Sequence, residues 1–178
     1  MTTNSLAVKP GILSKLQIKE TVLILAVSIV IPFLVHLLPA YNGAPAGAIV
    51  LAMFFAPYYA IKYFKFHVGV IAALFAPMLN YLVTGQPAAG LIPLLTLQLV
   101  LFVFVSKILY GVKAFQYLNA FFAYGASIIV SAILLLVFSG VMPGMTTGGY
   151  FESAFITGFP GILLLILANA TLIQFDRK

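Results

Sequence analysis

Long runs of aliphatic and aromatic residues alternate along the chain with short breaks, and each run is about one bilayer long. A helix crossing the ~30 Å hydrocarbon core needs about 20 mostly apolar residues. The runs predict six spans, over residues 19–38, 45–61, 68–84, 91–110, 115–138 and 153–174. The breaks read LPAYNGAPAG, KYFKFH, GQPAAG, YGVKAFQ and SGVMPGMTTGGYFE. Four of them carry glycine or proline turn signals, and KYFKFH interrupts the apolar run with charge. The predicted fold is all-α: six transmembrane helices in one compact bundle, a single membrane domain over residues 1–178. Residues 1–18 form a basic cytoplasmic or interfacial segment. Within it, PGILSKLQIKE (residues 10–20) has the pattern of a short amphipathic surface helix, or more simply of a basic flank orienting the first span.

Composition supports the span reading. The 178 residues are 63% hydrophobic and 7% charged, with a mean hydropathy of +1.18. A soluble domain carries roughly a quarter charged residues. With no cysteine, the chain cannot use thiolate chemistry, disulfides or cysteine metal sites. The formal net charge of +6 would suggest nucleic acid as a partner in a soluble protein; here its distribution says otherwise. Lys9, Lys15 and Lys19 precede the first span, and Lys62 and Lys65 lie between the second and third. Lys107 and Lys113 flank the fourth connection, and Arg177 and Lys178 close the chain. The remaining connections hold no basic residue. By the positive-inside rule both termini are cytoplasmic, in a multi-pass protein of the inner (cytoplasmic) membrane, and no nucleic acid is expected. Ala44-Pro45-Ala46 after the first span faintly resembles a signal-peptidase site. That span is long for a signal peptide, however, and cleavage would leave five spans.

Small and polar residues then suggest packing and chemistry. Ala48, Ala52, Ala56 and Ala60 recur four apart on the second span and form one smooth ridge. Such a ridge serves helix packing inside the protein or docking of another membrane subunit. Ala72 and Ala76 repeat the device once on the third span. Prolines 32, 57, 77 and 160 sit inside spans and can kink them. Asn80 and Thr84 share a face in the outer half of the third span, with Gln86 following in the loop. Thr96 and Gln98 lie in the outer half of the fourth span about 200° apart, so one at most faces a common pocket. Gln98, longer and both donor and acceptor, is the better candidate. Glu152 stands at the mouth of the sixth span with Thr157 one turn deeper. The fifth span adds Ser131 and Ser139, and the outer connections add His36, Tyr41, Asn42 and Tyr150. Polar groups at this depth usually face protein or a wet cavity. Together they predict an outward-opening site for a small neutral or weakly cationic molecule, with Glu152 as its one fixed charge. The substrate-binding set is Asn80, Thr84, Gln86, Gln98, Tyr41, Asn42, Tyr150 and Glu152.

Catalysis is not expected. His36 and His67 fall on opposite sides of the bilayer, as do Glu152 and the pair Glu20 and Asp176, so no acid–base pair is evident. His36 with Glu152 would supply two metal ligands where three or four are usual. No GxxxxGK phosphate loop occurs, so any energy from ATP must come through a partner. No cofactor or metal is expected.

Residues ~36–110 resemble the substrate-binding (S) components of energy-coupling factor transporters. The resemblance rests on HLLPAYNGAPAG, FAPYYA, HVGVIAALFAPMLNYLVTGQP and LIPLLTLQLVLFVFVSKILY, and above all on LNYLVTGQP. It implies capture of a vitamin-like micronutrient from the outer face, with Asn80, Thr84, Gln86 and Gln98 near substrate. It also implies a membrane coupling subunit and two cytoplasmic ATPases as partners. The chain departs from that pattern at Gln98, where many such proteins carry an acid, and at Met53-Phe54, where they carry Met-His. Ala56-Pro57-Tyr58-Tyr59-Ala60 lacks the usual glycines, and the ridge of small residues lies on the second span instead of the first. The rival expectation is a non-transporting membrane scaffold of cell-shape or envelope assembly, resembling MreD proteins.

Overall fold

The computed structural model describes residues 15–41, 43–137 and 146–176. Helix is the dominant regular structure: α1 (Lys15–His36), α2 (Ala46–Ile49), α3 (Ala52–Tyr63), α4 (Phe66–Thr84), α5 (Ile92–Tyr110), α6 (Asn119–Val137) and α7 (Thr147–Asp176). Short 3₁₀ turns at Ala89–Leu91 and Lys113–Phe115 precede α5 and α6. An isolated antiparallel bridge joins Tyr41 and Ala44. Among the described residues, five helical stretches are long and apolar enough to cross a membrane: Gln17–His36, Phe66–Thr84, Ala89–Tyr110, Asn119–Val137 and Thr147–Gln174. Large side chains such as Leu82, Ile108, Leu136 and Ile156 are 65–69% exposed, a surface suited to lipid. This is a multi-pass membrane protein.

The second apolar run corrects the sequence reading, because no single helix covers residues 45–61. Four residues form α2, Leu51 takes a left-handed conformation (φ 53°, ψ 42°), and α3 starts at Ala52. Neither glycine nor proline marks the break, so hydropathy does not register it. Glycines on α7 make room for it: a Cβ on Gly161 would lie 2.5 Å from the Val50 carbonyl carbon and 2.6 Å from Leu51 Cγ. The last run differs in length. Its helix begins at Thr147, six residues before the predicted start, and runs 30 residues, about 45 Å. At the other end of the chain, residues 15–20 continue α1 instead of forming a separate surface helix.

Contacts at known positions fix the helix directions. Ser28 meets Asn80, and Ile24 packs with Val68 and Ala72, so α1 and α4 run side by side in the same sense. Tyr150 meets Gln98 while Asn169 meets Tyr110, so α5 and α7 are also parallel. The α6 helix runs against both, through Asn119 with Ser106 and Tyr124 with Ala154. Helix α3 packs on α1, α4 and α5. Its Phe54 and Tyr58 meet Phe102 at ring-centroid distances of 5.1 and 5.6 Å, and Phe54 meets Tyr124 edge-on at 5.3 Å. Gly69 of α4 lets this hairpin close, since a Cβ there would sit 2.5 Å from Ile61 Cγ2. These directions gather Lys19, Lys62, Lys65, Lys107 and Lys113 at one end, the basic end. The C-terminal ends of α1 and α4, with the starts of α2, α5 and α7, form the opposite end.

Candidate binding cavity

A cavity of about 760 Å³ opens at the end opposite the lysines. Pro32 and His36 of α1 form one side and the helix break from Gly47 to Phe54 another. The rest comes from Gln86–Ala88, the first turns of α5, Tyr124 of α6, and one face of α7 from Gly149 to Gly158. Size and lining suit a small ligand, for which pockets of roughly 300–1,000 Å³ with few polar groups are usual.

The polar points are sparse and placed. Tyr150 Oη donates to Gln98 Oε1 at 3.1 Å, with Gln98 2% and Tyr150 8% exposed. Gln98 thereby uses its carbonyl, and of its two amide N–H donors one is directed at the Tyr124 hydroxyl while the other remains to be satisfied. Tyr124 Oη donates to the Ala154 carbonyl at 3.0 Å, and Gly158 leaves room for its hydroxyl. His36 packs its ring on Gly47, where a Cβ would come within 2.7 Å of Cε1, and its Nε2 is enclosed without a protein partner. At the break, the N–H groups of Leu51, Ala52 and Met53 have no backbone acceptor among the described residues, as at any helix start, and these residues line the cavity.

Of the residues singled out in the sequence, Gln86, Gln98 and Tyr150 line this cavity, as do His36 and Thr157. Asn80 does not. It is fully buried, and its Nδ2 donates to the Ser28 and Ala76 carbonyls at 2.8 Å each, clamping α4 to α1. Thr84 closes the helix end: its hydroxyl donates to the Asn80 carbonyl at 2.8 Å and accepts the Gln86 N–H at 3.1 Å, ahead of Gly85 with φ 71°. Polar residues stop the LNYLVTGQP helix because they clamp and cap it. Glu152 is exposed on the far side of α7, about 150° from the centre of the cavity face at 100° per residue. Tyr41 is 69% exposed and outside the lining, Asn42 and Ser139 lie outside the described residues, and Ser131 is buried between helices.

The structure also divides the alanine ridge. The break at Leu51 sets Ala48 apart from the other three, and Ala48 and Ala52 line the cavity. Ala56 and Ala60, at 1% and 0% exposed, pack with Ile24 of α1 and with Val68 and Ala72 of α4, so these two alanines serve packing inside the protein. Lining residues to which the sequence pattern gave no role in a site are Leu51, Phe54 and Tyr124, and on α7 Gly149, Ser153 and Gly158. Gly149, Ser153, Thr157 and Gly161 are spaced four apart, a stripe visible in the sequence that marks where α7 recedes. Among the described residues, no group of three or more His, Asp or Glu side chains could hold a metal.

Compared with protein-family models, with curated proteins and with solved structures, the chain has no match in any of the three.

Proposed function

We propose that this protein is a membrane-embedded binding subunit that captures a small micronutrient-like molecule from outside the cell for uptake. The observation that carries the reading is the 760 Å³ cavity at the end of the helices that holds no lysine or arginine. Under the positive-inside rule the basic end faces the cytoplasm, so the cavity faces outward in the inner membrane. In this arrangement α2 and α3 together make a broken sixth crossing, both termini are cytoplasmic, and Gln98, Tyr150, Gln86 and His36 meet the substrate. The chain has no nucleotide-binding loop, so release inward falls to partners, a membrane coupling subunit and two cytoplasmic ATPases. The S-component resemblance of residues 36–110 points the same way, and it includes the loop at Gln86 and the start of α5 that form the cavity wall.

Native mass spectrometry of the protein gently extracted from its own membrane tests this. The expected result is a retained molecule of a few hundred daltons or a complex carrying ATPases. A ligand-free chain held with envelope-assembly proteins would overturn the proposal in favour of a scaffold.

A further inference from the structure

The cavity's charge inventory narrows what it can hold; this step rests on the binding reading above. The chain has twelve charged residues, nine basic and three acidic. Every one except Glu152 belongs by sequence to the basic end or the two termini. Glu152 is exposed on the side of α7 turned away from the cavity, and it is not part of the lining. Asn42 and residues 138–145, which lie outside the described residues, contain no charged residue either. The cavity is therefore walled by apolar groups, hydroxyls, amides and one imidazole. Its central polar pair, Gln98 and Tyr150, is buried, neutral and mutually hydrogen-bonded.

We infer that the ligand is uncharged: a compact molecule with an apolar, ring-sized body and a neutral carbonyl, amide or hydroxyl group presented to Gln98. A free carboxylate, phosphate or ammonium would leave water without gaining a counter-charge, and burying an unpaired charge costs far more than burying a hydrogen-bonded amide. A neutral carbonyl loses little, because the remaining amide N–H of Gln98 replaces its water. The weakly cationic substrates that Glu152 suggested from the sequence are removed from the class, since that carboxylate faces elsewhere. Selection works by exclusion: the cavity discriminates by what it cannot solvate.

The test uses three probes that share one ring and differ in charge: indole-3-acetamide, indole-3-acetate and tryptamine, neutral, anionic and cationic at pH 8. Each is titrated into the purified full chain in detergent, with binding read by thermal stabilisation and by native mass spectrometry. The amide is expected to bind at millimolar concentration or better, at least about tenfold more tightly than either charged analogue, because the charged forms pay desolvation. Gln98→Glu is expected to reverse the order in favour of tryptamine, and Glu152→Gln to leave it unchanged. Equal or tighter binding of the acid or the amine to the natural chain would overturn the uncharged class while leaving the binding role intact. So would loss of the preference in Glu152→Gln. No binding of the amide at millimolar concentration would also overturn it, since a ring-sized apolar cavity must meet so weak a demand. The wild-type comparison stands even if Gln98→Glu fails to fold. The binding role itself is judged separately, by whether a molecule from the native membrane stays with the protein.

Discussion

The two parts of the second apolar run differ in how they are held. From Ala56 to Tyr63, α3 is a regular helix whose alanines lie flat on α1 and α4, while Tyr58 fills the space beside Phe102. From Ala46 to Leu51 the same run is a single turn and a left-handed residue, resting on α7 glycines and facing open volume. Asparagine clamps join the long helices: Asn80 to α1, Asn119 to the Ser106 carbonyl of α5, and Asn169 to the Gln116 carbonyl before α6. No asparagine reaches α2 or α3 in this way among the described residues; α3 is held to α5 by Tyr58, whose hydroxyl meets that of Tyr110. Polar side chains buried between helices fasten them, and the few beside the break line the cavity. The same residue types therefore do different work at different positions, and only geometry separates the two roles.

Substitutions can break that contrast. The largest effect is expected at Gly161, where alanine would drive a Cβ into the Val50 backbone. Gly161→Ala should destabilise the protein by about 2 kcal/mol, within the range for overpacking, and displace the break with loss of ligand retention. Thermal unfolding in detergent reads the first effect and native mass spectrometry the second. Next, Gln98→Leu should weaken binding by about tenfold, roughly 1.4 kcal/mol, as expected for an amide–ligand hydrogen bond. Asn80→Leu should do the reverse. It should lower stability by about 1 kcal/mol through loss of the interhelical bond while ligand affinity stays within twofold or so. Equal effects of the two substitutions on binding would erase the distinction between clamp and lining. Tyr41→Phe, at an exposed position outside the cavity, should change stability by less than about 0.5 kcal/mol and binding not at all.

Most of the helical framework was legible in the sequence because lipid imposes a simple rule: backbone groups must be paired within the helix, so apolar length marks the spans. The runs at 68–84 and 91–110 correspond closely to α4 and α5. The break at Leu51 was not legible, since an ordinary leucine takes the left-handed conformation and the cause lies in glycines over a hundred residues away. The candidate site was partly legible. Placing polar residues in the outer helix halves and outer connections brought Gln86, Gln98 and Tyr150 into the set, together with Asn80, Thr84, Tyr41 and Glu152, which do not line the cavity. Helix phase alone could not distinguish Asn80, whose face meets α1, from a lining residue. Nor could it place Glu152, because the early start of α7 turned a loop residue into a helical one with a fixed direction.

The most direct test of an outward-facing cavity uses the natural absence of cysteine. Ser153→Cys places a thiol at a position that both lines the cavity and is exposed, and Lys65→Cys, in a separate variant, places one at the basic end. Both are treated with a membrane-impermeant maleimide in intact cells, or in spheroplasts where an outer membrane is present. The Ser153→Cys variant should be labelled readily, and the Lys65→Cys variant only after permeabilisation. The opposite pattern, with Lys65→Cys labelled from outside and Ser153→Cys protected until the membrane is opened, would contradict the orientation and with it the capture of a substrate from outside the cell.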